Sequence, residues 1–323
     1  MAFGEKRVVW TDGCFDVFHY GHANALCQSK KLGGYLIAGV HSSESICRDK
    51  GLPVMKNEER YEMVEGCRYV DEVAKDVPFV TQLSMMRKYG VDIVCHGNDI
   101  VFDSNNQDSY HQVRDIGMFR EVERTVGIST TELVGRMLLN IGGEQLTLNK
   151  NGLEHTDYHD ELLKVFEADM KRERKGKVIF IDGNFDLFHA GHVVSLRIAR
   201  MMGDYLVVGL HDNETTKEYT KSNPVMSLKE RMLTLMSCKY VDEIVVSPYC
   251  INQEFVSMNG IDVVAPSFDS KDLSRYDAIR EIVEHSYAEN KFNYLSAEHI
   301  VNRIILNYQN YVDRQKKRLA RDV

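Results

Sequence analysis

The sequence predicts an α/β protein made of two tandem doubly wound domains, each with a parallel sheet. Three observations lead to this class. The segment WTDGCFDVFHYGHANAL at residues 10–26 recurs as FIDGNFDLFHAGHVVSL at residues 180–196. Short apolar segments alternate with amphipathic ones in both halves. With 323 residues, the chain is also long enough for two domains of ordinary size.

The similarity between the halves extends well beyond this motif, as a duplicated domain predicts. The matching pairs are YLIAGVHSSE from Tyr35 with YLVVGLHDNE from Tyr205, PVMKNEERYEMVEGCRYVDEV from Pro53 with PVMSLKERMLTLMSCKYVDEI from Pro224, and GVDIVCHGND from Gly90 with GIDVVAPSFD from Gly260. The spacing between the pairs changes only by small insertions and deletions. Residues 1–141 and 177–323 are therefore predicted to be two copies of one domain.

The elements of the first copy follow from its pattern of apolar residues. KRVVWTD predicts a buried strand, and the chain becomes helical after His22, through Leu32. GGYLIAGV predicts the second strand, NEERYEMVEGCRY a helix and VDEVAKD the third strand. TQLSMMRKYG predicts a helix that ends at Gly90, and VDIVCHG predicts the fourth strand. Such sheets bind ligands at the carboxyl ends of their strands, where the strand order reverses.

Two further segments are polar and charged. Residues 142–176 hold one weak helical stretch, DELLKVFEADM, and are predicted to be a linker. The C-terminal NYQNYVDRQKKRLARDV predicts the end of a charged, solvated helix. That helix is short and lacks the long apolar face of a membrane-surface helix, so at most a weak peripheral membrane association is expected.

The composition argues against several classes of protein. The formal net charge of −8 disfavours a nucleic-acid partner, because such proteins usually carry a basic face. No stretch approaches the roughly 18 consecutive apolar residues of a transmembrane helix. The N-terminus lacks the apolar core of a secretory signal. The seven cysteines are scattered without C-x-x-C spacing, as expected for reduced thiols. These features predict a cytoplasmic protein.

The repeated motif has the form G-x-F-D-x-x-H-x-G-H and lies between a buried strand and a helix. Gly13 allows the backbone to turn tightly and to approach a phosphate. The N-terminus of the helix attracts anions, and His19 and His22 lie together there. Two imidazoles can donate hydrogen bonds to charge that grows in a transition state, and Gly21 leaves room between them. The motif in this context predicts a phosphate-binding site rather than a histidine pair on the surface.

On these residues, the chain resembles the H-x-G-H nucleotidyltransferase superfamily, whose domains are Rossmann-like. That superfamily includes class I aminoacyl-tRNA synthetases, adenylyltransferases and cytidylyltransferases. A synthetase would also need a K-M-S-K-S loop. VMSLKER at residues 225–231 is only distantly similar to that loop, and the equivalent VMKNEER of the first copy is not. We interpret this stretch as a helix start, and no anticodon-binding domain is evident.

The segment ERTVGISTTELVGRMLLN at residues 123–140 resembles the R-T-x-G-I-S-T-[ST] signature of cytidylyltransferases. Arg124 offers a planar, bidentate guanidinium to phosphate oxygens, and Gly127 permits a tight loop. Ser129, Thr130 and Thr131 offer hydroxyls and backbone N–H groups at a helix N-terminus. The S-T-T-E pattern is also close to a capping box, and capping and phosphate binding can coexist there.

The resemblance implies further roles in a CTP site. Lys50 would bridge the two reacting phosphates, and the stretch CHGND at residues 95–99 would recognise the cytosine ring. The expected catalytic residues are His19, His22, Lys50 and Arg124. The expected CTP-binding residues are Gly13, Cys14, Phe15, His19, Tyr20, Gly21, His22, His96, Gly97, Asn98, Asp99, Arg124, Thr125, Gly127, Ile128, Ser129, Thr130 and Thr131. Mg²⁺ would travel with CTP, because it prefers phosphate and water ligands to a protein cage.

Three acceptors are compatible with this chemistry: phosphoethanolamine, phosphocholine and glycerol 3-phosphate. The glycerol enzymes are single small domains, and the choline enzymes usually carry a long membrane-binding helix. The tandem arrangement resembles the phosphoethanolamine branch, which implies transfer of the cytidylyl group of CTP to phosphoethanolamine, giving CDP-ethanolamine and pyrophosphate. The expected acceptor pocket is formed by Asp12, Lys50, Phe79 and Tyr110.

Within that pocket, Asp12 would be the carboxylate nearest the ammonium group. Phe79 stands where the choline enzymes have a tryptophan suited to cation–π contact with a quaternary ammonium. A core position is equally consistent with Phe79. Tyr110 matches a tyrosine of the choline pocket.

The second copy keeps the histidine motif and a lysine, at His189, His192 and Lys221. Its later elements differ. The counterpart of the signature is KFNYLSAEHIVNRIILN, in which Lys291 replaces the arginine and Tyr294 replaces the loop glycine. PSFD at residues 266–269 replaces HGND. We therefore expect a degenerate, non-catalytic domain that supports the first one.

The alternative is a non-catalytic protein with two nucleotide-binding domains. Single-domain relatives pair as dimers, and pairing of two similar domains within one chain would replace that dimer. This analogy predicts a monomer.

Overall fold

The computed structural model describes residues 6–99, 101–140, 156–170, 172–268, 270, 272–286 and 288–319, with the backbone alone at 140, 156, 157 and 314–319. Contacts divide the chain into two compact units. Unit 1 comprises Met1–Leu153 together with Ile300–Val323, and unit 2 comprises Glu154–His299. The sequence-based boundary placed residues 300–323 with the second domain. The two divisions differ because the C-terminal helices pack on elements of unit 1.

Unit 1 contains a five-stranded parallel sheet with the order β3-β2-β1-β4-β5. Its elements are β1 (Arg7–Gly13), α1 (Tyr20–Lys31), β2 (Gly34–His41), α2 (Ser43–Asp49), α3 (Asn57–Glu65), β3 (Glu72–Val77), α4 (Leu83–Lys88), β4 (Ile93–Gly97), α5 (His111–Asp115), β5 (Phe119–Val122) and α6 (Thr130–Asn140). This order confirms the predicted doubly wound α/β class.

Strand β1 lies at the centre of this sheet. Val9 pairs with Leu36 of β2 on one side and with Ile93 of β4 on the other. Val9 and Trp10 have no solvent exposure, as expected for a strand covered on both faces. The strand order reverses between β1 and β4, so the carboxyl ends of these two strands form the edge where a ligand is expected.

Two details of unit 1 differ from the sequence-based elements. Helix α1 begins at Tyr20 with His19 as its N-cap, so it starts before His22. The short strand β5, with sequence FREV, has no predicted counterpart, because two of its four residues are exposed and it lacks an apolar run. The motif therefore forms the end of the turn and the start of the helix together.

Unit 2 repeats the architecture with a four-stranded parallel sheet in the order β8-β7-β6-β9. Its elements are α7 (Thr156–Met170), β6 (Val178–Gly183), α8 (Ala190–Arg200), β7 (Tyr205–Leu210), α9 (Asn213–Thr220), α10 (Leu228–Met236), β8 (Glu243–Val246), α11 (Gln253–Met258), β9 (Val263–Val264) and a 3-10 segment (Leu273–Ile282). At the place of a fifth strand, Val283 forms a single parallel bridge to Val264.

The predicted linker is partly a helix of unit 2. Leu162, Phe166 and Met170 of α7 are buried, and α7 packs against α10. These apolar residues recur on one helical face, which explains why this charged segment packs. Residues 142–155 and 171 of the predicted linker lie outside the described residues.

The C-terminal segment forms α12 (Ala297–Leu306) and α13 (Tyr308–Leu319). Ile300 and Ile304 of α12 are buried, as are Tyr311 and Val312 of α13, and α13 packs on α6. The predicted solvated helix covered residues 307–323, and within it the prediction is wrong at Tyr311 and Val312, whose apolar side chains are buried. The basic side chains from residue 314 onward lie outside the described side chains. Among the helices of the described chain, none combines the length and apolar character needed to cross a bilayer.

Candidate active site

A cavity of about 220 Å³ opens in unit 1 at the carboxyl ends of β1 and β4. Nearly all the residues that the sequence assigned to substrate binding line it. They are Asp12, Gly13, Cys14, Phe15, His19, Gly21, His22, Lys50, Phe79, His96, Gly97, Asp99, Tyr110, Arg124, Thr125, Ile128, Ser129, Thr130 and Thr131. The topology thus gathers motifs that are far apart in sequence at one edge of the sheet.

Three predicted residues do not line this cavity. The side chain of Tyr20 has no exposure and packs in the core, because it lies on the inner face of α1. Asn98 is exposed beside the cavity. Gly127 adopts a φ of 81°, a left-handed conformation that residues with side chains rarely adopt, so it shapes the signature loop through its backbone.

The turn that joins β1 to α1 is held in an unusual conformation. Phe15 and Val17 have φ values of 47° and 46°, although both carry side chains. Between them, the Asp16 carboxylate accepts hydrogen bonds from the backbone N–H groups of Val54 (2.9 Å) and Met55 (2.8 Å). Such strained backbone persists where the surroundings hold it, and it commonly marks functional sites. The loop after α2 thereby fixes the turn that carries the histidines.

The two histidines cap helix α1, and this capping fixes their tautomers. His19 Nδ1 accepts from the backbone N–H of Gly21 (3.1 Å), and His22 Nδ1 accepts from the backbone N–H of His19 (3.3 Å). Each neutral ring must therefore carry its proton on Nε2. The rings stack with their centroids 3.9 Å apart. His19 Nε2 is buried without a hydrogen-bond partner among the described residues, as expected of a donor that awaits a ligand.

Both imidazoles are neutral at physiological pH. Burial lowers the pKa of His19 well below its ordinary value, and the charges of His22, Arg124 and Arg136 lower it further. Packing around its ring lowers the pKa of His22 to about 3, with contributions from the charges of Lys50 and Arg124. Neutral imidazoles can still donate from Nε2. The pair therefore suits hydrogen bonding to phosphate better than proton uptake.

Gly21 is required by the close approach of its neighbours. A Cβ at this position would lie 2.8 Å from Ile128 Cγ2 and 2.9 Å from His19 Nδ1. Ile128 belongs to the signature loop, so the glycine allows that loop to come down on the histidine pair. A larger residue at this position would force Ile128 or His19 to shift.

The signature loop is joined to the histidine turn by hydrogen bonds. Thr130 Oγ1 donates to the backbone oxygen of Asp16 (2.7 Å), and Asn24 Nδ2 of α1 donates to Thr125 Oγ1 (3.0 Å). Ser129 Oγ accepts from the backbone N–H of Glu132 (3.1 Å), which is the capping contact expected from the S-T-T-E pattern. The N-terminus of α6 therefore points its dipole at the same cavity as that of α1.

The cationic side chains of the site are exposed and make only solvent-accessible contacts within the described part of the chain. Arg124 Nη1 donates to Asp99 Oδ2 over 3.1 Å, and both side chains are nearly half-exposed. Lys50 Nζ lies 3.9 Å from Cys14 Sγ, at the mouth of the cavity. Such exposed contacts are weak, so both cations can turn to an anionic ligand.

The other end of the cavity is built around Asp12, which is 2% exposed at the end of β1. Its Oδ2 accepts from Trp10 Nε1 (2.9 Å) and Thr81 Oγ1 (2.7 Å), and its Oδ1 accepts from Tyr110 Oη (2.7 Å). Burial and the nearby Asp12 charge raise the pKa of Tyr110 well above its usual value, so the phenol stays protonated. All three donors are neutral groups. The carboxylate therefore offers an uncompensated negative charge to a cationic ligand.

Phe79 is buried beside this end and also lines the cavity. It is therefore both a core residue and a pocket residue, the two alternatives that the sequence left open. Its ring lies 5.2 Å from that of His41. Burial lowers the pKa of His41, although the Asp12 charge raises it. Sequence reasoning missed His41, Thr81 and Trp10 around Asp12. The only signal for His41 was the match between YLIAGVH and YLVVGLH, which places a histidine in both copies.

Sequence reasoning also missed Asp16. Its position in the repeated G-x-F-D pattern was visible, but its partners Val54 and Met55 come from a distant loop. In unit 2, Asp186 accepts in the same way from Val225 and Met226. The aspartate of the motif therefore has the same structural role in both copies, which is to hold the turn against a distant loop.

The histidine pair of unit 2 keeps its geometry but is covered. The rings of His189 and His192 stack 3.8 Å apart, and the ring of Phe268 packs 6.2 Å from His192. A Cβ at Gly191 would lie 2.9 Å from Phe268 Cζ. Phe268 stands where PSFD replaces HGND, so the substituted loop fills space over the histidines. The last residue of PSFD, Asp269, lies outside the described residues.

Lys221 also differs from its counterpart in unit 1. It adopts a φ of 62°, and its Nζ donates to the backbone oxygen of Glu218 over 2.7 Å. It therefore caps its own helix α9. Asp182, the counterpart of Asp12, is buried and accepts from the guanidinium of Arg275, from Tyr276 Oη (2.5 Å) and from His211 Nε2 (3.2 Å).

The cavity brings together two neutral imidazole N–H groups, an exposed lysine and arginine, and two helix N-termini. This combination is suited to a chain of phosphates. On this sheet topology, it makes unit 1 a domain of the nucleotidyltransferase class. Comparison with known proteins specifies the class further. The model of the family described as "Cytidylyltransferase-like" matches residues 10–136 and 180–302.

Individual relatives agree with this match. The chain is 71% identical to the "Probable ethanolamine-phosphate cytidylyltransferase" of Encephalitozoon cuniculi (strain GB-M1), over 99% of this chain and 100% of that one. It is 39% identical to the "Ethanolamine-phosphate cytidylyltransferase" of Dictyostelium discoideum, over 98% and 95%. The "Choline-phosphate cytidylyltransferase A" of Mus musculus is 43% identical, but over only 40% of this chain and 36% of that one. The chain belongs to the cytidylyltransferase-like family and, within it, to the ethanolamine-phosphate cytidylyltransferases.

Proposed function

We propose that the chain transfers the cytidylyl group of CTP to phosphoethanolamine, giving CDP-ethanolamine and pyrophosphate. The observation that carries this proposal is the two-ended cavity of unit 1. One end offers imidazole N–H groups and cations to phosphates, and the other end holds the buried Asp12 carboxylate. A substrate with a phosphate at one end and a primary ammonium at the other matches both ends.

In the reaction, a phosphate oxygen of phosphoethanolamine attacks the α-phosphorus of CTP. A new phosphorus–oxygen bond forms, and the bond between the α-phosphorus and the α,β-bridging oxygen breaks. Pyrophosphate leaves with that electron pair. No protein base is required, because the attacking oxygen is already anionic. The work of the enzyme is to position the two phosphates and to stabilise developing charge.

The residues around the cavity divide this work. Nε2–H of His19 and of His22 donates to the oxygens of the pentacoordinate phosphorus and to the leaving group. Lys50 holds the two reacting phosphates together, since its exposed ammonium can reach between them. Arg124 leaves Asp99 to bind the β- and γ-phosphates through its planar guanidinium. The N-terminus of α6 adds backbone N–H groups and its dipole to the same phosphates.

The cytosine ring is proposed to bind beside the end of β4. His96 and Asp99 line the cavity there, and Asn98 is exposed next to it. Burial lowers the pKa of His96, so a neutral ring faces the base. Rotation of Arg124 away from Asp99 would expose that carboxylate to ring donors.

Magnesium is proposed to enter with CTP. Among the described residues, no group of three or more His, Cys, Asp or Glu side chains is arranged to hold a metal ion. Mg²⁺ prefers phosphate oxygens and water, and on the triphosphate it would neutralise charge on the leaving pyrophosphate. Turnover should therefore depend on Mg²⁺, while the fold should withstand its removal.

The ammonium group of the acceptor distinguishes the candidates. A primary ammonium can donate hydrogen bonds to Asp12, whereas the trimethylammonium of phosphocholine cannot. Glycerol 3-phosphate brings no cation to a carboxylate whose three donors are neutral. Phosphoethanolamine is therefore favoured over both alternatives.

The test is pyrophosphate release from CTP and Mg²⁺ with each of the three acceptors offered separately. We expect release with phosphoethanolamine at low concentration and CDP-ethanolamine as the product. Release with phosphocholine alone would keep the mechanism and contradict the acceptor. No release with any acceptor, despite measurable CTP binding, would favour the alternative of a non-catalytic nucleotide-binding protein.

We also propose a cytoplasmic location and a monomer in solution, with at most weak peripheral association with membranes. Support for the location comes from the seven cysteines, all of which are free thiols. Sedimentation at several concentrations tests the oligomeric state, and a tight dimer would contradict it. Flotation with anionic vesicles tests the membrane association.

A further inference from the structure

Arg303 of helix α12 makes a buried ion pair with Glu59 of helix α3, and both residues belong to unit 1. Arg303 Nη1 donates to Glu59 Oε2 (2.6 Å) and Nη2 to Glu59 Oε1 (2.7 Å). The Glu59 side chain has no exposure, and that of Arg303 is 14% exposed. This bidentate geometry is the strong form of an arginine–carboxylate contact.

The same guanidinium also holds the loop that precedes α3. Arg303 Nη1 donates to the backbone oxygen of Val54 over 3.1 Å. Glu59 Oε2 accepts from the backbone N–H of Lys56 over 2.8 Å, which closes the start of α3. Arg303 therefore fixes the loop at residues 54–56 in two ways, directly at Val54 and through Glu59 at Lys56.

This loop is the support of the histidine turn. The N–H groups of Val54 and Met55 donate to the Asp16 carboxylate, between the two left-handed residues that precede His19. The backbone of Asp16 in turn accepts from Thr130 of the signature loop. A shift of the loop at Val54 would thus be transmitted to both phosphate-binding elements of the cavity.

A second contact connects α3 to the same turn. Arg60 follows Glu59, is fully buried, and donates through Nη1 to the backbone oxygen of Cys14 over 2.8 Å. Its Nη2 donates to Asn57 Oδ1 over 2.7 Å, at the first residue of α3. Helix α3 and the loop before it therefore touch the turn on the two sides of Phe15, α3 at Cys14 and the loop at Asp16, and Arg303 holds both in place.

We propose that Arg303 is a positioning residue for cytidylyl transfer, which acts through Val54 and Glu59 on the turn that carries His19 and His22. This inference rests on the proposed function. It assigns a role in the first site to the helix that ends the repeated sequence of the second copy. Val54 and Glu59, through which Arg303 acts, are not residues that we place against substrate, so its effect should fall on the rate of the chemical step.

The experiment compares steady-state kinetics and thermal midpoints for Arg303→Met, Arg303→Lys and the double variant Arg303→Met with Glu59→Gln. Arg280→Met is the matched control, because Arg280 is an exposed arginine whose side chain pairs, within the described part of the chain, with Asp277 alone. For Arg303→Met, we expect kcat to fall about 10-fold to 100-fold, with the KM values for both substrates within about threefold, since small misplacements of reacting groups have effects of this size.

The double variant separates positioning from stability. Arg303→Met alone leaves Glu59 buried without its cation and should lower the thermal midpoint. Glu59→Gln removes that charge and keeps an oxygen for the Lys56 N–H, so the midpoint should recover. The value of kcat should stay low, because the contact with Val54 is still missing. Arg303→Lys should recover kcat in part, since an ammonium cannot hold both Glu59 oxygens and Val54 at once.

Two outcomes would overturn the inference. One is a folded Arg303→Met protein with the kcat of the unmodified chain. The other is a double variant whose kcat recovers together with its midpoint, which would assign Arg303 to stability alone. Failure of the proposed function is distinct, because the unmodified chain would then produce no CDP-ethanolamine at all.

Discussion

Arg275 donates a charge-assisted hydrogen bond to Asp182 at the carboxyl end of strand β6, and the two side chains are 6% and 0% exposed. Among the described residues of the first copy, no arginine donates to Asp12, the counterpart of Asp182. Tyr276 corresponds to Tyr110, since both phenols donate to the aspartate, so Ser109 stands in the place of Arg275. In the second copy, the Arg275 guanidinium occupies the space beside Asp182. In the first copy, the equivalent space beside Asp12 is part of the cavity. The carboxylate at this position thus accommodates a positive group in the second copy.

Replacing Ser109 with arginine should convert the first site to the closed form of the second. The new guanidinium would pair with Asp12 and exclude the substrate ammonium. A hydrogen bond to a charged group contributes about 1.5–3 kcal/mol, so we expect the KM for phosphoethanolamine to rise about 10-fold to 100-fold. CTP affinity, measured by calorimetry, should stay within about threefold.

The matched control is Ser109→Ala. Ser109 Oγ is buried without a hydrogen-bond partner among the described residues, so its removal should leave both substrate affinities nearly unchanged. If Ser109→Arg folded and bound phosphoethanolamine normally, the acceptor would have to bind elsewhere than at Asp12.

Replacing Asp12 with asparagine tests the charge itself. The amide keeps the shape of the carboxylate but loses its charge. Its NH₂ group is also a donor, and it would face the hydrogen-bond donors that now surround Asp12. We expect the KM for phosphoethanolamine to rise about 10-fold to 100-fold at saturating CTP, with a smaller effect on the KM for CTP. Steady-state kinetics with each substrate varied in turn provides the measurement, and an unchanged acceptor KM would remove Asp12 from the acceptor site.

The two histidine pairs should differ sharply in importance. His19→Asn and His22→Asn each remove a donor aimed at the phosphates, and we expect kcat to fall about 100-fold to 1,000-fold. His189→Asn and His192→Asn alter a pair that Phe268 covers, so kcat should change by less than about threefold. Circular dichroism checks that each variant is folded. An equally severe loss from the second pair in a folded protein would argue for two working sites.

The depressed histidine pKa values predict the pH dependence of stability. The ordinary pKa of histidine is about 6.5, and that of His22 in the folded chain is about 3. Between these values the unfolded chain binds a proton that the folded chain does not, so stability falls as pH decreases through this window. The thermal midpoint should therefore decrease as the pH is lowered from about 6.5. In the His22→Asn variant, the midpoint should decrease less over the same pH range. Equal slopes for both proteins would contradict the assignment.

Activity should respond differently. Because both imidazoles are already neutral, their protonation should cause no change in kcat between about pH 5.5 and pH 8. Nitrogen-15 NMR of labelled histidines measures the same property directly, since it reports protonation and tautomer. A cationic His22 at pH 6, or a proton on Nδ1 of the neutral ring, would contradict the arrangement at α1.

The sequence predicted those features that are encoded locally. Alternation of apolar and amphipathic segments gave the doubly wound class, because strand and helix periods depend on neighbouring residues. The two motifs indicated a phosphate site, because each combines a glycine with polar side chains at the start of a helix. Differences between the copies indicated which one keeps the signature. Predicted residues such as His19, Lys50 and Arg124 line one cavity because parallel strands bring their carboxyl ends to one edge.

Only the tertiary structure decided which distant side chains meet. Two of the three donors to Asp12, Thr81 and Tyr110, lie 69 and 98 residues from it along the chain. The tautomers of the histidines depend on capping contacts that the composition does not reveal. Arg303 and Glu59 are 244 residues apart, and the sequence placed the helix of Arg303 with the other domain. A pairing at that separation depends on how helices pack, since burial of apolar residues such as Ile304 and Tyr311 fixes where the C-terminal segment lies. The sequence by itself therefore determined the repeat, the fold and the chemistry, whereas packing determined what holds the working site in place.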